Sequence, residues 1–379
     1  MKCIEFALFF HTNGKKRKEQ VIVHWNGVNS NRNKKDMQEE KKRKGKQSFC
    51  FTKPIRILAS ACTGSSMEQQ GPLGNYLDVY DETGKFEGEN WEESESRMLR
   101  QTIECAIQKA GKKNSDVEYL FCGDLLRQMT ASSFGVKSLQ IPVFGVYGAC
   151  STMGESLLLA SVLMEAELAK CTVAATSSHY ATAEKEFRFP LSYGNQRPPC
   201  ATWTVTGSGA LVLERAESKK SGIYVIAATP GKIVDYGITD KTNMGACMAP
   251  AATDTISTHL NDLGLCPDYY DKIVTGDLGS VGSEILIDLL KAKGYDISKQ
   301  HMDCGLTIYD SKFQDVHSGG SGCGCAAVTL AGYLLQQMRE GKWKRILFVP
   351  TGALLSSVSS NEGDTVPGIA HAVALERVE

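Results

Sequence analysis

The chain has no window of 18 apolar residues; its longest apolar run, Leu157 to Met164, fits a helix of ordinary amphipathic length. A membrane-spanning helix is therefore not expected, and the reading is of a soluble or membrane-peripheral protein. Near the start, Ile4 to Phe10 is apolar but too short for an anchor, and no small-residue cleavage site follows it, so it does not read as a signal peptide. With no export signal, the 13 cysteines point to a reducing compartment and structural disulfides are not expected. The spacings Cys323-Gly-Cys325 and Cys247 to Cys266 match no zinc motif, and His317 is the only histidine near the former pair. No metal site and no cofactor are expected. Cys105, Cys122 and Cys171 sit in apolar context and read as small core residues.

Net charge is also nearly absent, at -1, but it is unevenly placed. Residues 1–46 hold 13 Lys/Arg against 5 Asp/Glu, leaving 29 against 38 and a net charge of -9 for the rest. An acidic body argues against nucleic acid as a partner. The first 44 residues, with the basic runs Lys15 to Lys18 and Lys41 to Lys44, form a separate segment. It reads either as a disordered basic tail able to touch anionic lipid or as sequence upstream of a start at Met37, and the second is favoured.

What is present is a duplication. At a constant offset of 153, Thr102, Ile103, Gly111, Gly123, Asp124 and Leu125 return as Thr255, Ile256, Gly264, Gly276, Asp277 and Leu278. Each copy reads as an amphipathic helix stopped by Gly, then a short apolar strand, Tyr119 to Cys122 or Lys272 to Thr275, ending in Gly-Asp-Leu. A Gly-led helix follows in each (Ala149 to Leu168, Gly320 to Met338), then a strand (Thr172 to Thr176, Arg345 to Val349) and a closing strand (Ala210 to Arg215, Ala372 to Arg377). The strands lack clean alternation, as expected where both faces are covered. The expectation is an α/β protein with an N-terminal half at 45–218 and a C-terminal half at 219–379, packed as a five-layered α/β/α/β/α sandwich. Ligands in such sheets gather at the carboxyl ends of strands.

That rule brings together Gly148-Ala-Cys-Ser-Thr152, the Ser177-Ser-His179 turn and both Gly-Asp-Leu corners. Cys150 and Ser151 head a helix, where the positive end of the dipole would lower a thiol pKa and favour a nucleophile; a small residue at a tight turn is the plain alternative. His179 reads equally as an imidazole facing Cys150 or as a loop histidine bonded to backbone. His317 is a second candidate base, and Gly320 lies in a Gly run that lets backbone approach a ligand. Asp124 and Asp277 either reach the pocket or cap the turn that follows. The segment Ala183 to Trp203 inserts about twenty residues between strands, and a loop of that length is usually functional. Its Arg188 and Arg197 suit a dicarboxylate clamp or a dimer interface.

With Cys150 heading the central helix of the first duplicated half, the chain resembles the thiolase superfamily. Gly71-Pro-Leu-Gly74, Gly123-Asp-Leu-Leu126, Gly148 to Thr152, Ala175 to His179, Tyr193 to Pro198, Asp235 to Asp240, Met248-Ala-Pro-Ala251 and Thr351 to Leu355 are similar to motifs of the stage V sporulation protein AD family. The resemblance runs from about Gly45 to the C-terminus. It implies a thiolase-like protein, commonly a homodimer, that binds dipicolinic acid (pyridine-2,6-dicarboxylate) or its calcium chelate. It further implies work with the stage V sporulation A-operon membrane proteins, peripheral to the forespore inner membrane, in loading the spore. A flat dianion needs Arg or backbone N–H donors, which Cys150 at its helix head and Arg188 with Arg197 would offer.

Condensing enzymes need more than the cysteine. Where ketoacyl synthases carry a His this chain has Val274-Thr-Gly-Asp-Leu278, and where thiolases carry a second Cys it has Thr351-Gly-Ala-Leu-Leu355. The expected protein is a binding protein on an enzyme scaffold; the alternative is an acyltransferase using Cys150.

Overall fold

Apolar strands covered on both faces need helices above and below them, and the chain supplies these twice. The computed structural model describes residues 7–12, 15–20, 42–188 and 196–379. Residues 1–41 and 42–379 form two separate units. In the first, Ala7–Thr12 pairs antiparallel with Lys15–Gln20, Ala7 opposite Gln20. Met37, and residues 189–195 of the inserted segment, lie outside the described residues.

The larger unit contains two sets of five strands. The first comprises β1 (Ser48–Ser65), β2 (Tyr119–Gly123), β3 (Val143–Gly145), β4 (Cys171–Ser178) and β5 (Gly207–Arg215). The second comprises β6 (Gly222–Thr229), β7 (Lys272–Thr275), β8 (His301–Asp303), β9 (Arg345–Val349) and β10 (Ala372–Val378). Their orders are β1-β5-β4-β2-β3 and β6-β10-β9-β7-β8, the same arrangement twice. In each, the last three strands of that order run parallel, and the other pairings are antiparallel. Antiparallel pairing of β1 with β6, Ile57 opposite Ile223, joins the two sets into one hydrogen-bonded path.

Alternation along the strands sorts side chains into three cores, which defines five layers. Ala210 and Val212 of β5 face Leu99, Ile103 and Ile107 of helix α1 (Trp91–Lys109) on the outside. Leu211 and Leu213 face inward, onto Met153 and Leu157 of α2 (Thr152–Glu165). The other sheet behaves alike. Ile346 and Phe348 share the central core, while Ile273, Leu347 and Val349 meet Met248, Ile256 and Leu260 of the outer helix Met244–Leu263. Between the sheets α2 lies with a second central helix, Cys323–Val328, which continues through a π-helical turn, Thr329–Leu334, to Arg339.

The duplicated stop signals act as expected. Gly111 after α1 and Gly264 after Met244–Leu263 both lie in the left-handed region at φ +65°, and Asn90 caps the start of α1 by accepting from Glu93 N at 2.9 Å. Asp262 in that last turn accepts N–H bonds from Gln47 and Ser48 at 3.1 and 3.0 Å, which fixes the entry to β1. The carboxyl ends of β2, β4, β7 and β9 point to one place, where the heads of the two central helices meet.

Candidate functional site

Cys150 is held out of a tight turn. Ser151 Oγ donates to Gly148 O at 2.7 Å, Thr152 Oγ1 accepts from Gly148 N at 3.1 Å and donates to Ala149 O at 2.6 Å. This closure drives Ala149 to φ +49°, a conformation that costs an L residue about 1–2 kcal/mol and clusters at functional sites. The second half presses on the turn from across the interface. A Cβ on Gly352 would stand 2.4 Å from Gly148 O, so only glycine admits this approach. A Cβ on Gly123 would stand 1.9 Å from Val146 O, so that position is confined to glycine as well.

The helix head does not activate the thiol as its position suggested. α2 begins at Thr152 with Ser151 as its cap, which leaves Cys150 one residue outside. Burial first, then Asp277 and Cys323, push the Cys150 thiol well above its ordinary range; a bond from Gly322 N acts the other way. Asp277 is wholly buried: Oδ1 accepts from Thr351 Oγ1 at 2.8 Å and Oδ2 from Gly322 N at 3.0 Å, and its carboxyl lies beside the Cys150 thiol. Burial pushes its carboxyl up to about 7 against these bonds. Asp277 therefore does not cap the helix after it. It sets the head of the second central helix beside the first-half cysteine.

A narrow cleft, about 450 Å³ with its open mouth included, lies over Cys150. Leu125, Tyr147, Phe187, Met244, Ala353 and Leu355 give it apolar walls. Polar groups come from Glu184, Arg188, Thr204, Ser321 and Gly322. Arg188 follows helix α3 (Tyr180–Phe187); its Nη1 bonds Glu184 Oε1 at 2.7 Å and its Nη2 bonds Thr202 O at 3.1 Å. Of the residues singled out from sequence, Cys150 and Arg188 line this cleft, and Asp277 lies buried beside Cys150.

Others go elsewhere. His179 caps α3: Nδ1 accepts from Ala181 N at 3.1 Å, so Nε2 carries the proton and donates to Gly84 O at 2.9 Å. Both nitrogens are taken and the ring lies 5.4 Å from Trp91, so it is the backbone-bonded histidine and does not line the cleft. His317 pairs with Asp315 at 3.1 Å and Pro198 O at 2.9 Å, away from Cys150. Arg197 bonds Asp315 Oδ2 at 3.0 Å and lies over Trp203 at 4.6 Å; it stands behind the wall, so the two arginines do not form an open clamp. Asp124 accepts from Leu126 N and Ser132 N at 2.8 and 2.7 Å and caps its own turn. Ser151 is spent on Gly148 O, and Gly320 pairs in a short strand with Trp203, leaving its neighbours Ser321 and Gly322 to reach the cleft. Sequence reasoning missed Glu184, although it lay inside the inserted segment, and Tyr147, which no motif marked. Among the described residues no group of three His, Cys, Asp or Glu side chains is placed to hold a metal ion. No helix among them is long and apolar enough to cross a membrane.

Two duplicated halves, a cysteine at the head of one central helix and a second-half acid against it define a thiolase-like scaffold. The same fold occurs in 3-oxoacyl-[acyl-carrier-protein] synthase III from Aquifex aeolicus VF5, with a TM-score of 0.51 at 14% identity over 85% of this chain and 99% of that one. It occurs too in OleA from Xanthomonas campestris, with a TM-score of 0.55 at 14% identity over 86% and 97%. At such identity the likeness speaks for the fold alone. The sequence model of Stage V sporulation protein AD (SpoVAD) matches residues 45–376. Stage V sporulation protein AD of Bacillus subtilis (strain 168) is 44% identical over 334 residues, 88% of this chain and 97% of its own length. The chain belongs to the stage V sporulation protein AD family.

The thiol geometry makes a direct prediction. With iodoacetamide at about pH 8, Cys150, 6% exposed, alkylates far more slowly than the exposed Cys266. Asp277→Asn speeds Cys150 by about tenfold for each unit its pKa falls. Peptide mass spectrometry reads both sites, and equal rates at Cys150 and Cys266 in the parent protein contradict the geometry.

Proposed function

We propose that this protein binds dipicolinate, as the free acid or its calcium chelate, and serves its uptake into the developing spore without catalysing a reaction. It works with membrane proteins of the stage V sporulation A operon, as a peripheral protein on the cytoplasmic side of the forespore inner membrane. Family membership supports the sporulation role. The observation that carries the ligand reading is Arg188, which lines a largely apolar cleft while paired with Glu184, where the candidate nucleophile is kept protonated. A thiolate beside the Asp277 carboxylate would put two negative charges in one buried site, so a resting thiolate is disfavoured. An aromatic dicarboxylate needs apolar surface for its ring and a charged donor for its end, and both are here.

Isothermal titration of dipicolinate, with and without calcium, into the full chain tests this. Saturable binding is expected, weakened about ten- to a hundredfold by Arg188→Ala, as follows from losing charge-assisted bonds worth about 1.5–3 kcal/mol. Absence of binding in both conditions sinks the proposal.

A homodimer belongs to the same reading. The edge strand β3 is exposed throughout, with Val143 and Phe144 at 45% and 46%, and Phe144 stacks at 4.8 Å on Phe121. An apolar edge with free ladder groups is a surface that a second copy can cover. Light scattering is expected to give twice the chain mass, and Val143→Lys with Phe144→Lys to halve it; a parent protein of single chain mass contradicts the dimer.

One observation favours the acyltransferase or condensing-enzyme alternative. A carboxyl held at about 7 against Cys150 could take the thiol proton as an acyl group arrives.

A further inference from the structure

Two wholly buried acids, Glu95 on α1 and Asp124 after β2, act on one another, and among the described residues no lysine or arginine bonds either of them. Two buried carboxylates without a cation are costly, so such a pair settles as one anion and one neutral acid. Their partners decide which is which. Asp124 accepts from the backbone N–H groups of Leu126 and Ser132, which can only donate and so suit an anion. Glu95 meets two hydroxyls, Ser177 Oγ at 3.0 Å from Oε1 and Thr182 Oγ1 at 2.6 Å from Oε2. A hydroxyl can turn round. Thr182 Oγ1 also lies 2.9 Å from His179 O, a carbonyl that only accepts, and it has a single proton to give. With that proton on His179 O, the 2.6 Å contact is made by a carboxyl O–H of Glu95 donating to Thr182. Burial first, then Asp124, raise the Glu95 carboxyl to about 8, in the same sense.

What Glu95 holds is a wall of the cleft. Thr182 lies on α3 next to Ala183 and ahead of Phe187, both of which line the cleft. Ser177 lies near the end of β4, and its carbonyl accepts from the Cys323 thiol at 2.9 Å. Leu125, Cys150, Ala183 and Cys323 pack as one apolar cluster with Phe187 against it. The other ionisable groups acting here are Glu92, one turn earlier on α1 and paired with Lys185 of α3, and Cys323 at the head of the second central helix. Both are acids, so neither replaces the proton of Glu95. His179, the cap of α3, is kept neutral by burial.

We propose that Glu95 is a positioning residue of the cleft: as a neutral acid it joins α1 to α3 through Thr182 and to β4 through Ser177, and release of its proton to solvent loosens α3 and weakens ligand binding. The hold on α3 stands on the hydrogen bonds, while the effect on the ligand rests on the dicarboxylate reading above. The sign follows from the raised carboxyl: the wall is intact through neutral pH, while Glu95 keeps its proton, and yields as pH rises past about 8.

Hydrogen–deuterium exchange of the ligand-free full chain, read by mass spectrometry over residues 180–187, compares the parent with Glu95→Gln at about pH 7 and about pH 9. The introduced amide donates to Thr182 and accepts from Ser177 at both values, and comparison at equal pH removes the intrinsic rise in exchange. The two are expected to exchange alike at the lower pH, and the parent about five- to tenfold faster at the higher. Thr182→Val, with no hydroxyl to accept, is expected to exchange fast at both. Dipicolinate affinity of the parent is expected to stay level up to about pH 8 and to fall about tenfold per unit above it, and that of Glu95→Gln to stay level throughout. Asp277 also titrates near neutrality, so Asp277→Asn is measured too and is expected to keep the exchange response of the parent. No response in the parent, a response that survives Glu95→Gln or disappears in Asp277→Asn, or slow exchange in Thr182→Val overturns the proposal. So does a Glu95→Gln chain that fails to fold or binds more weakly than the parent at neutral pH, because the amide harms only an ionised Glu95. Level affinity in a parent whose exchange responds overturns the effect on the ligand. No dipicolinate binding at any pH overturns the proposed function and leaves exchange to judge the hold on α3.

Discussion

Burial of Asp277 is the constraint on which the rest of the site depends. Its carboxylate accepts from Gly322 N at the head of one central helix and from Thr351 after β9, and it lies beside the thiol that precedes the other central helix. Three segments from two halves are thereby fixed around one side chain. A buried carboxyl is tolerable only when its lone pairs are occupied, and here each oxygen has a partner. Burial moves Asp277 toward neutrality and Cys150 away from thiolate, so one arrangement sets the protonation of both.

The duplication explains why this happens once and not twice. Both halves end a strand in Gly-Asp-Leu, yet Asp124 turns back to Leu126 N and Ser132 N while Asp277 faces across the interface. What differs is the neighbour. Asp277 meets the free N–H of Gly322, which lies at φ +96° where a side chain would strain the backbone. On the first half the Thr152 hydroxyl closes the turn and no such donor is offered to Asp124. The same motif serves as a local cap in one copy and as an interface clasp in the other.

Local pattern made much of the fold legible. Lys272–Thr275 and Arg345–Val349 have the bounds that the apolar runs and their Gly punctuation give, and the repeated order of segments becomes a repeated strand order. Five layers followed from strands apolar on both faces, since Leu211 and Val212 need different helices. The site was legible only in part, because side-chain roles there are set by distant residues. His179 is taken by Gly84, 95 positions away, and Arg197 by Asp315, 118 positions away. Neither spacing nor composition carries that information. The helix-dipole argument for Cys150 failed for a related reason: it is a local effect, and burial beside Asp277 outweighs it. Glu184 escaped notice because a lone acid beside two arginines looks like a surface pair until its burial is known.

Whether this cleft holds a ligand or performs acyl transfer turns on the fate of Cys150. Incubation of the full chain with acetyl-CoA and longer acyl-CoA thioesters, followed by intact and peptide mass measurement, asks that directly. The account predicts an unmodified Cys150, since a thiol beside a buried carboxyl has no resting thiolate to attack with. A stable acyl adduct on Cys150, absent from Cys150→Ala, would contradict it and return the protein to the condensing enzymes whose fold it shares.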